Sequence, residues 1–297
     1  MKKLFSKLLA ALIIVSIVFN VTNISAYADE GALFNVREAI SVDANNGQII
    51  YSQNIYEPVE VASLTKVMTA LLVAEALDRG QISLDTPFAV SAEAMKGLPY
   101  DASYAEPKMK KGEVFNVLEL LMMAMITSDC YACNVLGELV AGSKEEFVNM
   151  MNKRALELGC INTNFLNAHG YPVDGHVSNA YSMSIIAREA LKHPIIKGIV
   201  SMPNGIIPQT NLCGPREIVN TNELIKESIY FNPTVRGLKT GSADNIGKCL
   251  ISYAVKGNKE IVTVVIGAKD LKIDNTKIKM QYFETNRLLD MSFGLIN

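Results

Sequence analysis

The stretch Ala62-Ser63-Leu64-Thr65-Lys66-Val67-Met68-Thr69-Ala70 opens an apolar run from Val67 to Leu77 that stops at Gly80, with Asp78 and Arg79 in its last turn. The pattern predicts a helix, and Ser63 and Lys66, three residues apart near its start, then share one face a single turn apart. At that spacing an amine can take the proton of a hydroxyl without any histidine. The positive end of the helix, with its unpaired N–H groups, faces whatever Ser63 attacks. This is the Ser-x-x-Lys form of an activated serine nucleophile. Alone it is a weak signal, because an N-cap serine followed by a solvated lysine has the same spacing.

The 297 residues suffice for one large domain or two small ones, and 49% hydrophobic with 20% charged residues describes a globular chain. Residues 1–28 read as an export signal: Lys2, Lys3 and Lys7 are followed by apolar Leu8 to Val21 and an Ala26-Tyr27-Ala28 cleavage site. A permanent anchor needs a longer uninterrupted span, and Asn20 and Asn23 fall inside this one. Cleavage would remove three lysines and shift the formal net charge from −2 to −5. The expected mature protein, residues 29–297, is therefore exported, mildly acidic, without a stable membrane anchor and without a basic surface for nucleic acid.

Cys130, Cys133, Cys160, Cys213 and Cys249 are an odd, scattered set, which is no disulfide framework. Cys130 and Cys133 form C-x-x-C, but no further ligands for zinc and no βαβ context for redox chemistry accompany them. Most read as small buried hydrophobes.

A hairpin is expected where Ala39 to Val42 and Gln48 to Tyr51 flank Asn45-Asn46-Gly47. Residues 81–113 are broken by Pro87, Gly97, Pro99, Pro107 and Gly112. Three helices follow: Asn116 to Ile126, with Asn116 and Glu119 as a capping box; Tyr131 to Val140, stopped by Gly142; and one opened by the Ser143/Glu146 box, with Phe147, Met151, Ala155 and Leu158 on one face and Gly159 as its stop. Another helix spans 181–192 and ends at Pro194, and 199–215 reads as loop. His169, in Asn167-Ala168-His169-Gly170, and His176 have no carboxylate or cysteine cluster beside them, so hydrogen-bonded structural roles outweigh metal ligation. The nucleophile elbow G-x-S-x-G is absent.

A β-like segment ends in Lys239-Thr240-Gly241 before Ser242. It offers a fixed charge, a hydroxyl donor, and a glycine that lets a substrate lie close. The bland alternative is a strand-end turn with a surface lysine. A final hairpin pairs 249–255 with 261–266, and a last helix over about 276–289 turns Ile278, Phe283 and Leu288 inward.

Ser63-x-x-Lys66, Ser128-x-Cys130 and Lys239-Thr240-Gly241, in that order, resemble the three motifs of the serine penicillin-recognising enzymes. Within them the chain is most similar to the low-molecular-mass D-alanyl-D-alanine carboxypeptidases, over about residues 31–292. Leu64 to Ala70, Met151-Asn152-Lys153-Arg154-Ala155, Asn167 to Gly170 and Val235 to Gly241 carry the likeness as well. The resemblance implies an α/β fold of the α+β type, β-lactamase/DD-peptidase-like. It has a five-stranded antiparallel sheet flanked by helices, with a mainly helical subdomain within about 81–200.

It also implies the chemistry. Ser63 would attack the carbonyl between the two terminal D-alanines of a peptidoglycan stem peptide, and β-lactam antibiotics would be covalent inhibitors. Lys66 serves as base only when neutral, a state that burial and the charge of Lys239 favour. Ser128 would relay the proton to the leaving amine, Lys239 and Thr240 would hold the terminal carboxylate, and the N–H groups of Ser63 and Ser242, beside Gly241, would bind the oxyanion. No metal or organic cofactor is implied. Location would be extracytoplasmic, secreted or wall-associated.

Two departures stand out. Cys130 occupies the place of an asparagine in the substrate-binding S-x-N motif, and a thiol is a poor donor and a poor acceptor. Asn134, one turn on, shares that face without the reach to replace it. The chain also stops at Asn297 with no β-rich C-terminal domain in view. A wall-binding protein with impaired turnover is therefore an alternative. A β-lactamase is a weaker one, since no E-x-x-L-N stretch follows Ser128.

Overall fold

The computed structural model describes residues 34–273 and 276–296, so the export signal read at 1–28 lies outside the described residues. The chain opens with the expected hairpin, β1 (Glu38–Asp43) and β2 (Ile49–Gln53). Asp43 Oδ1 accepts from the N–H of Asn45 at 2.8 Å, and Gly47 takes the positive φ of +81° that closes the turn. A 3₁₀ turn, Ala62–Thr65, then leads into α1 (Lys66–Asp78). This helix is apolar on all sides, with Val67, Met68, Leu71 and Val73 fully buried, and it runs through the centre of the molecule.

Short strand β3 (Pro87–Ala89), helix α2 (Ala92–Met95) and strand β4 (Val114–Asn116) frame the proline-broken segment. The Asn116/Glu119 capping box is present in both directions and starts α3 (Val117–Met122). The last turn then widens into a π-helical segment, Met123–Thr127, that ends on Ser128 at φ +71°. Next come α4 (Cys130–Ala141), α5 (Lys144–Glu157), α6 (Ala180–Ala190) and α7 (Pro194–Val200). Ser143 caps α5 by accepting from Glu146, the forward half of its predicted box.

Pro194 begins α7 rather than ending α6, which stops at Ala190. Proline lacks only an N–H that a first helical turn does not need. The segment read as loop contains β5 (Asn204–Ile207), paired with β6 (Arg216–Val219). The remaining strands are β7 (Val235–Ala243), β8 (Gly247–Lys256), β9 (Lys259–Ala268), β10 (Leu271–Ile273) and β11 (Thr276–Ile278), before α8 (Met280–Leu295). Thr276 to Ile278 thus pair with β10 instead of opening the last helix, and Phe283 points outward, 45% exposed. Leu288 is buried as expected.

The main sheet is five-stranded and antiparallel in the order β2-β1-β9-β8-β7, with helices on both faces. Helix α8 covers one face, and α6 with the turn before α1 covers the other. Residues of β9 alternate between them: Ile261 and Val265 pack toward α8, while Val262, Val264 and Ile266 join the larger core with α1 and α3–α6.

One buried ion pair ties the β5–β6 hairpin to the residue just before β4. Arg216 Nη2 meets Glu113 Oε1 at 2.6 Å with both side chains fully buried, and the guanidinium also donates to the carbonyl of Pro107 and lies over the ring of Phe115. Removing one partner strands a buried charge, so Glu113→Ala is expected to lose about 3–5 kcal/mol of unfolding free energy. Glu113→Leu combined with Arg216→Met should recover much of that loss in urea titrations. Equal stability of the single and double variants would contradict the account.

Candidate active site

Ser63 sits on the 3₁₀ turn ahead of α1, not at a simple N-cap, and the preceding Ala62 is held at φ +46°. A non-glycine residue rarely adopts that conformation, and here it presents the next side chain to a cleft of about 360 Å³. The backbone is fixed from the other side by Gly170, at φ +75°. A Cβ there would fall 1.8 Å from the carbonyl oxygen of Ala62. Thr69 Oγ1 donates to the carbonyl of Ala168 at 2.5 Å, so the Asn167–Gly170 loop and the helix form one rigid unit.

Lys66 is fully buried, and its Nζ reaches Ser63 Oγ at 3.0 Å, the carbonyl of His169 at 2.6 Å and Cys130 Sγ at 3.5 Å. An amine has three directions to offer, and each has a partner. Cys130, at the usual asparagine position, therefore faces the lysine from the first turn of α4, and it is 2% exposed. Ser128 lines the cleft with Ser63, but its hydroxyl makes no hydrogen bond to Lys66.

Asp129 was passed over in the sequence. Fully buried, it caps α4 through Ala132 N at 3.0 Å, and its other oxygen takes Ser103 Oγ at 2.8 Å and Tyr104 N at 2.9 Å. Burial pushes this carboxyl upward from its ordinary range. The bonds hold the half-exposed ring of Tyr104 at the cleft mouth, a position that no spacing rule identifies.

Lys239-Thr240-Gly241 lies within β7, which continues to Ala243, and is not the strand-end turn of the bland reading. Side chains alternate along a strand. Thr240 and Ser242 accordingly face the cleft, while Lys239 is 1% exposed and does not line it. Thr240 Oγ1 is 2.5 Å from the hydroxyl of Thr221, a second cleft residue without a sequence signature. Gly241 passes close to the nucleophile, and a Cβ there would lie 3.3 Å from Ser63 N. Lys248, Asp270 and Lys277 close the far end, and Asp270 is paired with Lys277 at 2.9 Å.

Both loop histidines are hydrogen-bonded, buried and neutral. His176 Nδ1 accepts from Leu166 N at 3.0 Å, which leaves Nε2 to donate to Thr65 Oγ1 at 2.8 Å; burial and the charge of Lys66 lower its pKa to about 4. All five cysteines are free, and Cys130, Cys133 and Cys249 are buried.

Burial, and next the charge of Lys66, bring the Lys239 pKa from 10.5 down to about 7. Between those values the unfolded chain binds a proton that the folded chain does not, so stability rises with pH through this window. Below it the folded protein carries the buried charge and the gain is absent. Lys239→Met is expected to flatten the stability profile between pH ~7 and ~10.5 relative to wild type. An unchanged slope in denaturant titrations would contradict the burial argument.

A family model described as D-alanyl-D-alanine carboxypeptidase matches residues 26–270. D-alanyl-D-alanine carboxypeptidase DacF of Bacillus subtilis is 36% identical over 87% of this chain and 62% of its own length. Among solved structures, a peptidoglycan synthesis regulatory factor (PBP3) from Streptococcus pneumoniae superposes with a TM-score of 0.77 at 29% identity, over 89% of this chain and 72% of that one. Penicillin binding protein 6B from Escherichia coli gives 0.76 at 28% identity, over 89% and 79%. The chain spans about three fifths of the length of the curated relatives it matches. Among the described residues no helix is long and apolar enough to cross a membrane.

Proposed function

The chain belongs to the D-alanyl-D-alanine carboxypeptidase family, and from that membership we propose that it is an exported serine-type D-Ala-D-Ala carboxypeptidase acting on peptidoglycan stem peptides. The observation that carries this is the 3.0 Å approach of Lys66 Nζ to Ser63 Oγ at the edge of a cleft floored by Thr240, Gly241 and Ser242. Lys66, in its neutral form, directs its lone pair at Ser63 while its two N–H groups rest on His169 O and Cys130 Sγ. Ser63 Oγ attacks the carbonyl of the penultimate D-alanine and its proton moves to Lys66.

Collapse of the tetrahedral intermediate breaks the peptide bond. The proton passes through Ser128 to the leaving D-alanine amine, and water later releases the shortened peptide from Ser63 by the reverse relay. The oxyanion lies between the backbone N–H groups of Ser63 and Ser242, which the close packing of Gly241 brings together. Thr240, with Thr221 beside it, hydrogen-bonds the terminal carboxylate, and Lys239, buried in the same strand, adds charge there only when protonated, below its pKa of about 7. The same site takes β-lactams as covalent inhibitors. Among the described residues no glutamate lines the cleft and Asp270 is engaged by Lys277, which disfavours the β-lactamase reading.

Cys130 is buried against Lys66 and does not line the cleft, so its thiol offers a bound peptide nothing. Its thiol is a poor partner for a peptide amide, and an asparagine would add one hydrogen bond worth about 1 kcal/mol, or about fivefold. Release of D-alanine from a stem pentapeptide is expected for the wild type and absent for Ser63→Ala. Cys130→Asn should lower KM severalfold. No release by the wild type would favour the wall-binding alternative, and a flat or reduced rate in Cys130→Asn would refute the role given to the thiol.

A further inference from the structure

Asn134 and the ring of His169 have no part in the chemistry above, yet both line a second cavity. It measures about 580 Å³ and lies between the segment after α2, helices α4 and α5, and the loop over residues 166–173. Asn134 is 3% exposed, and its Nδ2 donates to the carbonyl of Ala94 at 2.8 Å, which fixes the amide. Its Oδ1 has no partner among the described residues.

His169 is 6% exposed, and its Nδ1 accepts from Tyr171 N at 3.0 Å. The ring is neutral, because burial and the charge of Lys66 hold its pKa well below the usual histidine value. Its single proton therefore sits on Nε2, which has no partner among the described residues either. Both residues line the cavity, and two such polar atoms on side chains otherwise fixed and nine-tenths buried form a donor and an acceptor for a ligand.

The walls narrow the ligand class. Leu98, Val148, Leu166, Val173 and the half-exposed ring of Tyr171 give an apolar and aromatic lining. The two lysines at the mouth, Lys96 and Lys144, are both paired with Glu93, at 3.4 and 3.3 Å, and Glu145 beside them disfavours an anion. What fits is a neutral group with one N–H and one C=O on an apolar frame. The cavity is also tied to the catalytic centre, because the residue whose ring lines it gives its backbone oxygen to Lys66.

We propose that this cavity is a substrate subsite for a neutral secondary amide, which donates its N–H to Asn134 Oδ1 and accepts from His169 Nε2 at its carbonyl. The inference rests on the carboxypeptidase reading, which makes a glycopeptide the substrate. Two parts of such a substrate carry the group: the acetamido substituent of an amino sugar and a backbone amide of the stem peptide.

The test compares wild type, Asn134→Leu and the surface change Tyr171→Ala on three substrates. These are a short acyl-D-Ala-D-Ala confined to the cleft, a free stem pentapeptide, and an N-acetylated disaccharide pentapeptide. On a longer substrate Asn134→Leu is expected to raise KM about fivefold, the weight of one neutral hydrogen bond, and Tyr171→Ala to raise it through the lost ring contact, while both leave the short one unchanged. Loss on the free pentapeptide as well identifies a backbone amide; loss confined to the disaccharide form, and abolished by N-deacetylation, identifies the acetamido group. Equal changes on all three substrates, or no change on any, overturn the proposal. If the wild type turns over none of them, the carboxypeptidase reading itself fails. Calorimetric binding of the disaccharide pentapeptide to wild type and Asn134→Leu then decides the cavity alone, and equal affinities would reject it.

Discussion

The rest of the structure depends on one amine kept out of water. Lys66 lies in the first turn of a helix that is apolar on every side, and a polar group in such a place is costly unless each of its hydrogen-bonding directions is met. Its three partners come from separate parts of the chain: Ser63 from the turn before the helix, Cys130 from the first turn of α4, and the carbonyl of His169 from the loop over 167–170. Each must be held to a fraction of an ångström. That requirement accounts for the left-handed Ala62, for Gly170 where no Cβ fits, and for Asp129 binding the 103–104 backbone to the cap of α4.

The second buried lysine responds to the first. Lys239 lies under β7 with its ammonium on the carbonyl of Thr240, and burial together with Lys66 makes its charged form expensive. The strand separates the tasks: its cleft face presents hydroxyls and a close-packed glycine, while the opposite side of the same three residues carries the charge.

Much of this was legible in the sequence. The hairpin at 38–53, the apolar run after Ser63 and the Asn116/Glu119 box are legible because periodicity and capping are local properties, and the resemblance carried by the three ordered motifs implied the five-stranded sheet. What escaped depended on distant partners. Residues 204–207 are a strand only because 216–219 lie alongside, and Thr276 to Ile278 left the predicted helix for the same reason. Pro194 was misplaced because a proline suits the start of a helix as well as its end. Lys239 was expected at the surface of the site, yet alternation along an unbroken strand turns it inward. Tyr104 and Thr221 reach the cleft from irregular segments, and nothing in their neighbours' spacing announces it.

The central claim is that Ser63, activated by Lys66, forms an acyl-enzyme. Intact mass after incubation with benzylpenicillin, followed by peptide mapping, tests it most directly. The account predicts a persistent adduct of one penicilloyl group, located on Ser63 and absent from Lys66→Ala. Penicillin left intact with no adduct would contradict it, as would an adduct carried by any residue other than Ser63.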